Sequence, residues 1–354
     1  MSRFQSERLS SLSPYTPGEQ PRDMKYIKLN TNESPFPPSP KARKLAAEAA
    51  GKLQLYSDPT CRVLVEKLSE VYGVEPDEVI VTNGSDEVLD FAFQAFCDKD
   101  TPALFPDITY GFYPVFAARN GVPYETVALR DDFTIDIEQY FHTGKTIFIA
   151  NPNAPTGIAL SRDQIEQILI HNPDNVVVID EAYVDFGGES CVPLIKKYDN
   201  LLVTQTFSKS RSLAGGRLGF GIGNRDLIAD LHTIRYSTNP YNVNSMTMAA
   251  GYGVLCDEAD TRANCKTIIE NREWTAAQLE KRGFALTNSK TNFVFAKHPR
   301  LDGGRLYAEL KARGVLVRHF NAPRICDYNR ITIGSREQMQ AFLEAVDQIM
   351  KEVL

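Results

Sequence analysis

The sequence predicts an α/β fold, a mainly parallel sheet covered by helices on both faces, followed by a smaller α+β unit. Short apolar runs of strand character alternate with helical stretches through the first two thirds of the chain, the pattern of a doubly covered parallel sheet. Several polar residues stand immediately past the ends of those runs, where open α/β sheets gather their functional loops. At 354 residues the chain exceeds a single core and suits two domains. The expected division is an N-terminal arm over 1–30, a large domain over 31–245 and a small C-terminal domain over 246–354, with 31–50 able to pack with the last.

The arm is rich in Ser and Pro and has no clear period, which suits a segment docked on something larger. Pro35, Pro37, Pro38 and Pro40 forbid a helix until Lys41, after which the Ala- and Lys-rich stretch 41–52 is helical. Cys61–Tyr72 is an amphipathic helix closed by Gly73. Glu78–Thr82 is a buried-type strand. It turns through Asn83-Gly84-Ser85-Asp86 into the helix that carries Val88–Phe96, so backbone amides collect at a helix start. Taken alone, Ser85 or Asp86 there is simply a cap. Ala103–Phe105, a unit over Val122–Leu129 and Lys145–Ala150 read as strands, and a helix covers Ser161–Ile170. Asn175–Ile179 and Leu201–Thr206 are apolar runs that end in Asp180 and in Ser208-Lys209. Past Gly221 the pattern gives a long helix over 257–281, strands at Thr291–Phe295, Val315–Arg318 and Asn329–Ile333, and helices near Arg305–Arg313 and from Arg336 to the end.

The formal charge of −6 argues against nucleic acid or an anionic membrane as the main partner, while leaving room for a small anion held by a few arginines. No apolar run has the length of a membrane span, and the first residues lack a secretory pattern. The six cysteines are scattered, without CxxC spacing or a histidine grouping. They read as reduced thiols of a cytoplasmic protein, and no metal site is indicated.

The strand-end residues form a chemical set. Lys209 is an amine that burial would deprotonate, and only the free amine attacks a carbonyl. Ser208 and Arg217 supply a hydroxyl donor and a planar cation for a phosphate, beside the Gly84–Asp86 turn. Asp180 is a carboxylate, Tyr183 a phenol three residues on, and Tyr110 an aromatic face. This set suits pyridoxal 5′-phosphate: an amine for its aldehyde, an acid for its ring nitrogen, a donor for its ring oxygen and a ring to stack on it. A nucleotide site is disfavoured, because neither GxxxxGK[ST] nor GxGxxG is present.

Asn153-Ala154-Pro155-Thr156-Gly157, Asp180-Glu181-Ala182-Tyr183, Ser208-Lys209 with Arg217, and Asn329-Arg330-Ile331-Thr332-Ile333-Gly334 together resemble the fold-type-I aminotransferases. Leu29–Phe36, Tyr56-Ser57-Asp58-Pro59 and Pro240–Asn244 fit the same family, in order, from about Pro14 to the C-terminal helix. More narrowly, the set is similar to the histidinol-phosphate aminotransferases within it. The resemblance implies a large domain with a mainly parallel seven-stranded sheet, a cytoplasmic homodimer and PLP as cofactor. The implied reaction moves an amino group between L-histidinol phosphate and 2-oxoglutarate, with glutamate as the amino donor in the synthetic direction. Lys209, Asp180 and Tyr183 would be catalytic. Gly84, Ser85, Asp86, Tyr110, Asn153, Ser208 and Arg217 would bind the cofactor, joined by Tyr56 reaching in from the partner subunit. Arg330, Arg318 and Asn32 would bind substrate. One position departs from the family pattern: Ala154 stands where an Asn usually precedes Pro-Thr-Gly, and Asn153 is the candidate to supply that contact. A threonine-phosphate decarboxylase, an aromatic amino-acid aminotransferase and a non-catalytic PLP-binding protein are the competing readings.

Overall fold

The computed structural model describes residues 2–6, 9 and 12–353. Its strands are β1 (Ile27–Lys28), β2 (Val79–Thr82), β3 (Ala103–Pro106), β4 (Tyr124–Val127), β5 (Thr146–Ala150), β6 (Val177–Asp180) and β7 (Leu201–Thr206). They continue with β8 (Gly219–Gly223), β9 (Ala285–Leu286), β10 (Phe293–Lys297), β11 (Val315–Leu316), β12 (Arg318–His319) and β13 (Asn329–Thr332). The large sheet has seven strands in the order β2-β8-β7-β6-β5-β3-β4. All its pairings are parallel except those of β8, which runs antiparallel to both β2 and β7.

Period-two alternation sorts the apolar strand residues between the faces of that sheet. Ile147, Ile149, Val177, Ile179, Leu201 and Val203 join one core, with Leu64, Leu68, Ile165 and Ile168 from helices Arg62–Tyr72 and Arg162–Ile170. Phe148, Val178 and Leu202 point the other way, to helices Ser85–Phe96, Tyr113–Asn120 and Arg225–Thr238. The expected helix-covered, mainly parallel sheet is therefore present. Local signals set its punctuation: Gly73 caps its helix at φ 65°, and Ser161 with Gln164 forms a reciprocal capping box.

The small unit is a four-stranded antiparallel sheet, β12-β13-β10-β9, with its own core between helices Glu258–Glu280, Gly303–Ala312 and Arg336–Val353. The expected strand Val315–Arg318 is split. Val315 and Leu316 pair in parallel with β1, while Arg318 and His319 pair with β13. The arm is thus tied to the small unit through β1.

Helices Tyr113–Asn120, Arg225–Thr238 and Ser245–Cys256 go beyond the elements read from sequence. The last is apolar with no clear period, as a helix buried on several sides is. It packs on Pro40–Ala50, and Ala42, Ala250 and Val254 share the large-sheet core. By packing, then, Ser245–Cys256 goes with the large sheet, and residues 31–50 divide between the two cores: Phe36 lies against the small one and Ala42 in the large. The helix pair approaches so closely that a Cβ added to Gly253 would lie 2.6 Å from the backbone of Ala42. Gly253→Ala is expected to lower the thermal unfolding midpoint, at a cost of about 1–3 kcal/mol, whereas Gly51→Ala, with only a 3.6 Å contact, leaves it nearly unchanged.

Candidate active site

Strands β2, β5, β6 and β7 point the same way, because β8 is antiparallel to both β2 and β7. Their carboxyl ends therefore deliver Gly84, Ala154, Asp180 and Lys209 to one edge of the sheet. There a cavity of about 410 Å³ is lined by Asp180, Tyr183, Ser208 and Lys209 together with Ser85, Asp86, Tyr110 and Arg217.

The anion end of this cavity depends on two close approaches. A Cβ on Gly219 would lie 2.2 Å from the Ser85 nitrogen, and one on Gly84 would lie 2.7 Å from Arg217 Nη2. Glycine at both positions lets the start of β8 lie against the N-terminus of helix Ser85–Phe96 and brings the Arg217 guanidinium over its first amides. Gly84 also holds φ 79°, a conformation that suits glycine. Arg217 donates to Asp86 Oδ2 at 3.1 Å, and the Tyr110 hydroxyl donates to Asp86 Oδ1 at 2.7 Å. Ser208 Oγ accepts from Thr206 Oγ1 at 3.0 Å, so its own proton is free for an anion. Helix-start amides, a guanidinium and a hydroxyl donor are the elements of a phosphate site.

The same cavity holds two buried ionisable groups. Lys209 Nζ donates to the Thr31 carbonyl at 3.2 Å. Burial, and next the Arg330 charge, pull its ammonium down to about 8. Asp180 accepts from the Ala182 amide at 3.2 Å and, more weakly, from the Tyr113 hydroxyl at 3.4 Å. Burial pushes its carboxyl up to about 7, and the Asp86 charge adds to the rise. Neighbouring Glu181 faces a different environment, accepting from Gln205, Ser190 and the Cys191 amide. A poised amine, a buried carboxylate with no cation bonded to it among the described residues, and an anion cradle across the cavity fit the aldehyde, ring nitrogen and phosphate of PLP.

A second cavity of about 360 Å³ adjoins the first, sharing Tyr110, Ala154, Tyr183 and Lys209. Arg330 lines it from β13. Its Nη2 donates to the Asn30 carbonyl at 3.0 Å, its guanidinium lies 5.3 Å from the Phe293 ring centroid, and its Nε has no partner among the described residues. Arg318 and Asn32 line the same space. Arg318 makes long contacts of 3.4 Å to the carbonyls of Thr16 and Pro17, whereas Asn32 donates to the Tyr183 hydroxyl at 2.8 Å.

Asn153 lies elsewhere than expected, and Tyr56, expected to act from the partner subunit, lies outside its own chain's cavities. Asn153 is not on the cofactor cavity: its amide donates to the Ile108 carbonyl and Thr156 Oγ1, and its Oδ1 accepts from Thr109. Its role is to shape the loop, and Ala154, with no polar side chain, fills the wall instead. Tyr56 is 84 % exposed and stacks on Tyr241 at 4.7 Å, away from both cavities of its own chain. Conversely, the structure adds Tyr15, Gln20 and Thr31 from the N-terminal segments, and Tyr113 beside Asp180. Tyr113 stands one helical turn after Tyr110, a spacing visible in the sequence. Nothing local marks Tyr15.

Residues 24–346 match the model of the aminotransferase class I and II family. The chain is 47 % identical over 353 residues to histidinol-phosphate aminotransferase of Brachyspira hyodysenteriae, covering 99 % of this chain and 100 % of that protein. It is 48 % identical over 350 residues to histidinol-phosphate aminotransferase 1 of Bradyrhizobium diazoefficiens, covering 99 % and 100 %. Among solved structures, that of histidinol-phosphate aminotransferase from Sinorhizobium meliloti in complex with pyridoxal-5′-phosphate superposes with a TM-score of 0.90. At 22 % identity it covers 100 % of this chain and 99 % of that one.

The raised Asp180 carboxyl has a sign that can be measured. Between its ordinary value of 3.8 and about 7 the folded chain holds a proton that the unfolded chain releases, so stability falls as pH rises through that window. Asp180→Asn removes this dependence. In the cofactor-free protein the variant is expected to melt higher than the parent at about pH 8, with the difference shrinking toward about pH 5; thermal scans at both values check it.

Proposed function

The chain belongs to the aminotransferase class I and II family, and from that premise we propose that it transfers an amino group between L-histidinol phosphate and 2-oxoglutarate with PLP as its cofactor. The observation that carries the reading is the placement of a depressed lysine and a buried aspartate in one cavity, in a chain whose curated relatives at 47–48 % identity carry that activity in their names.

When bound, PLP supplies an electrophilic carbon for the amino group and a conjugated ring that takes up the electron pair released when the substrate Cα–H bond breaks. Lys209 would hold it covalently through Nζ. The same Nζ would carry the substrate Cα proton in either direction. Burial leaves about a tenth of this amine unprotonated at pH 7, far more than for an exposed lysine. Asp180 holds a proton on the ring nitrogen, because an unpaired carboxylate in a dry site favours any cation that reaches it. The Tyr183 hydroxyl would donate to the ring oxygen, and Tyr110 would pack on the ring face. Ser208, Arg217 and the Gly84–Asp86 turn would hold the phosphate. Arg330 and Arg318 hold the anionic end of the substrate in the adjoining cavity and set the orientation of its Cα–H bond.

The proposal extends to a cytoplasmic homodimer. Tyr56 and Tyr241 lie beside Leu53 and Leu55 in sequence or in contact, all largely exposed, an apolar group suited to burial against a second copy. There Tyr56 would reach the partner's cofactor phosphate. Free cysteines, four of them buried, agree with a reducing compartment.

Lys209→Ala is expected to abolish steady turnover and the visible absorbance of the lysine-linked cofactor. Retained turnover contradicts the assignment. With the intact protein, histidinol phosphate is expected to convert the bound cofactor to its amino form in a single half-reaction. Conversion with phenylalanine alone, or release of carbon dioxide from threonine phosphate, selects a competing reading. Tyr56→Phe is expected to weaken cofactor retention by about tenfold, measured as PLP lost on dialysis; unchanged retention removes Tyr56 from the site.

A further inference from the structure

Tyr183 is the phenol expected at the cofactor ring, and what fixes its proton is not the large domain. Asn32 Nδ2 donates to the Tyr183 oxygen at 2.8 Å. Asn32 is 1 % exposed and holds a left-handed backbone at φ 57°, so it sits where it does because its surroundings hold it there. Those surroundings belong to the small sheet. The Asn32 amide nitrogen donates to Thr332 Oγ1 at 3.0 Å, Thr332 Oγ1 donates to Asn32 Oδ1 at 3.0 Å, and Asn292 Nδ2 donates to the Asn32 carbonyl at 2.9 Å.

Proton counting gives this arrangement a direction. Thr332 Oγ1 accepts the Asn32 backbone N–H, and its single proton, which has no other acceptor among the described residues, goes to Asn32 Oδ1. That selects one orientation of the Asn32 amide and turns its NH₂ toward Tyr183. The phenol oxygen is thereby an acceptor on that side, and its own proton has no acceptor among the described residues. It is left to point into the cavity shared with Lys209, whose Nζ lies 6.0 Å from the Tyr183 ring centroid. The Asn153 amide does not duplicate this donor, since it is bonded to the Ile108 carbonyl and Thr156 and its oxygen to Thr109, and Ala154 has none to give.

We propose that Thr332 is a positioning residue for the reaction: by orienting Asn32, it aims the Tyr183 hydroxyl proton at the ring oxygen of the cofactor. Arg330 and Thr332 are two residues apart on β13 and so share a face. Arg330 grips the Asn30 carbonyl while Thr332 grips Asn32. The strand that carries the substrate-binding arginine thus also sets the donor at the cofactor, which ties anion binding to the acidity of the lysine link. The Asn32 bond also favours the ionised form of the phenol and counters part of the rise that burial imposes on it, as a stronger donor requires.

The inference rests on the PLP reading, and its test keeps the two apart. The holoenzyme is titrated with acid and base, and the midpoint of the change in its visible absorbance is read. A donor on the ring oxygen draws charge from it and lowers the basicity of the neighbouring lysine-linked nitrogen. Thr332→Val, which frees the Asn32 amide to turn its oxygen to Tyr183, is expected to raise the midpoint by roughly one pH unit. Thr332→Ser restores it, and Thr332→Val adds nothing in a Tyr183→Phe background. Asn32→Ala, read in the same two backgrounds, gives an independent version of the cycle should the valine variant not fold. A midpoint unmoved by Thr332→Val, or moved equally with and without the Tyr183 hydroxyl, overturns the proposal. Absence of a titrating band in the parent protein overturns the PLP reading instead.

Discussion

The site is organised by the cost of keeping a carboxylate and an ammonium out of water without joining them to each other. Asp180 is pushed up and Lys209 pulled down by the same burial. Each is bonded instead to other groups: a backbone amide and a distant phenol for the aspartate, and a carbonyl for the lysine. Either group would be more stable solvated or ion-paired. The sheet holds them apart because each follows a different parallel strand. A ligand that presents a cation to one and an electrophile to the other relieves both strains at once.

The phosphate end obeys a different constraint, that of space. Gly84 and Gly219 admit an approach of β8 to a helix start that no side chain would allow. That approach lifts Arg217 over the anion cradle. The single antiparallel strand in the large sheet is therefore not incidental: reversal at β8 returns the chain from Lys209 to the same edge within a few residues. Asp86 meanwhile receives bonds from both Arg217 and Tyr110 and keeps the guanidinium aligned. The small unit supplies the rest through β13, which presents Arg330 to the adjoining cavity and Thr332 to the Asn32–Tyr183 pair.

How much of this can be read from the chain depends on whether the cause is local. Asp180, Ser208 and Lys209 stand at the ends of apolar runs, and their convergence follows from parallel topology, so they are legible in sequence. The helix caps at Gly73 and Ser161 are legible for the same reason. Helix Ser245–Cys256 is not, because a segment apolar on most sides shows no period. Asn153 misleads: its motif is present, but bonds to Thr156 in its own loop and to Ile108 and Thr109 beyond β3 turn it away from the cofactor cavity. Tyr15 and Thr332 lie far along the chain from the residues they serve, and only the fold brings them together.

The proposed function turns on one amine, at position 209, being the group freed by burial to bond the cofactor. Loading the protein with PLP, reducing the link with borohydride and mapping the pyridoxyl group by peptide mass spectrometry across a pH series tests this. Modification of Lys209 alone is expected. In the apo-protein, single-turnover trapping is expected to rise through a midpoint near the depressed value of about 8. Label on another lysine, or a midpoint in the ordinary range of an exposed lysine near 10.5, would contradict it.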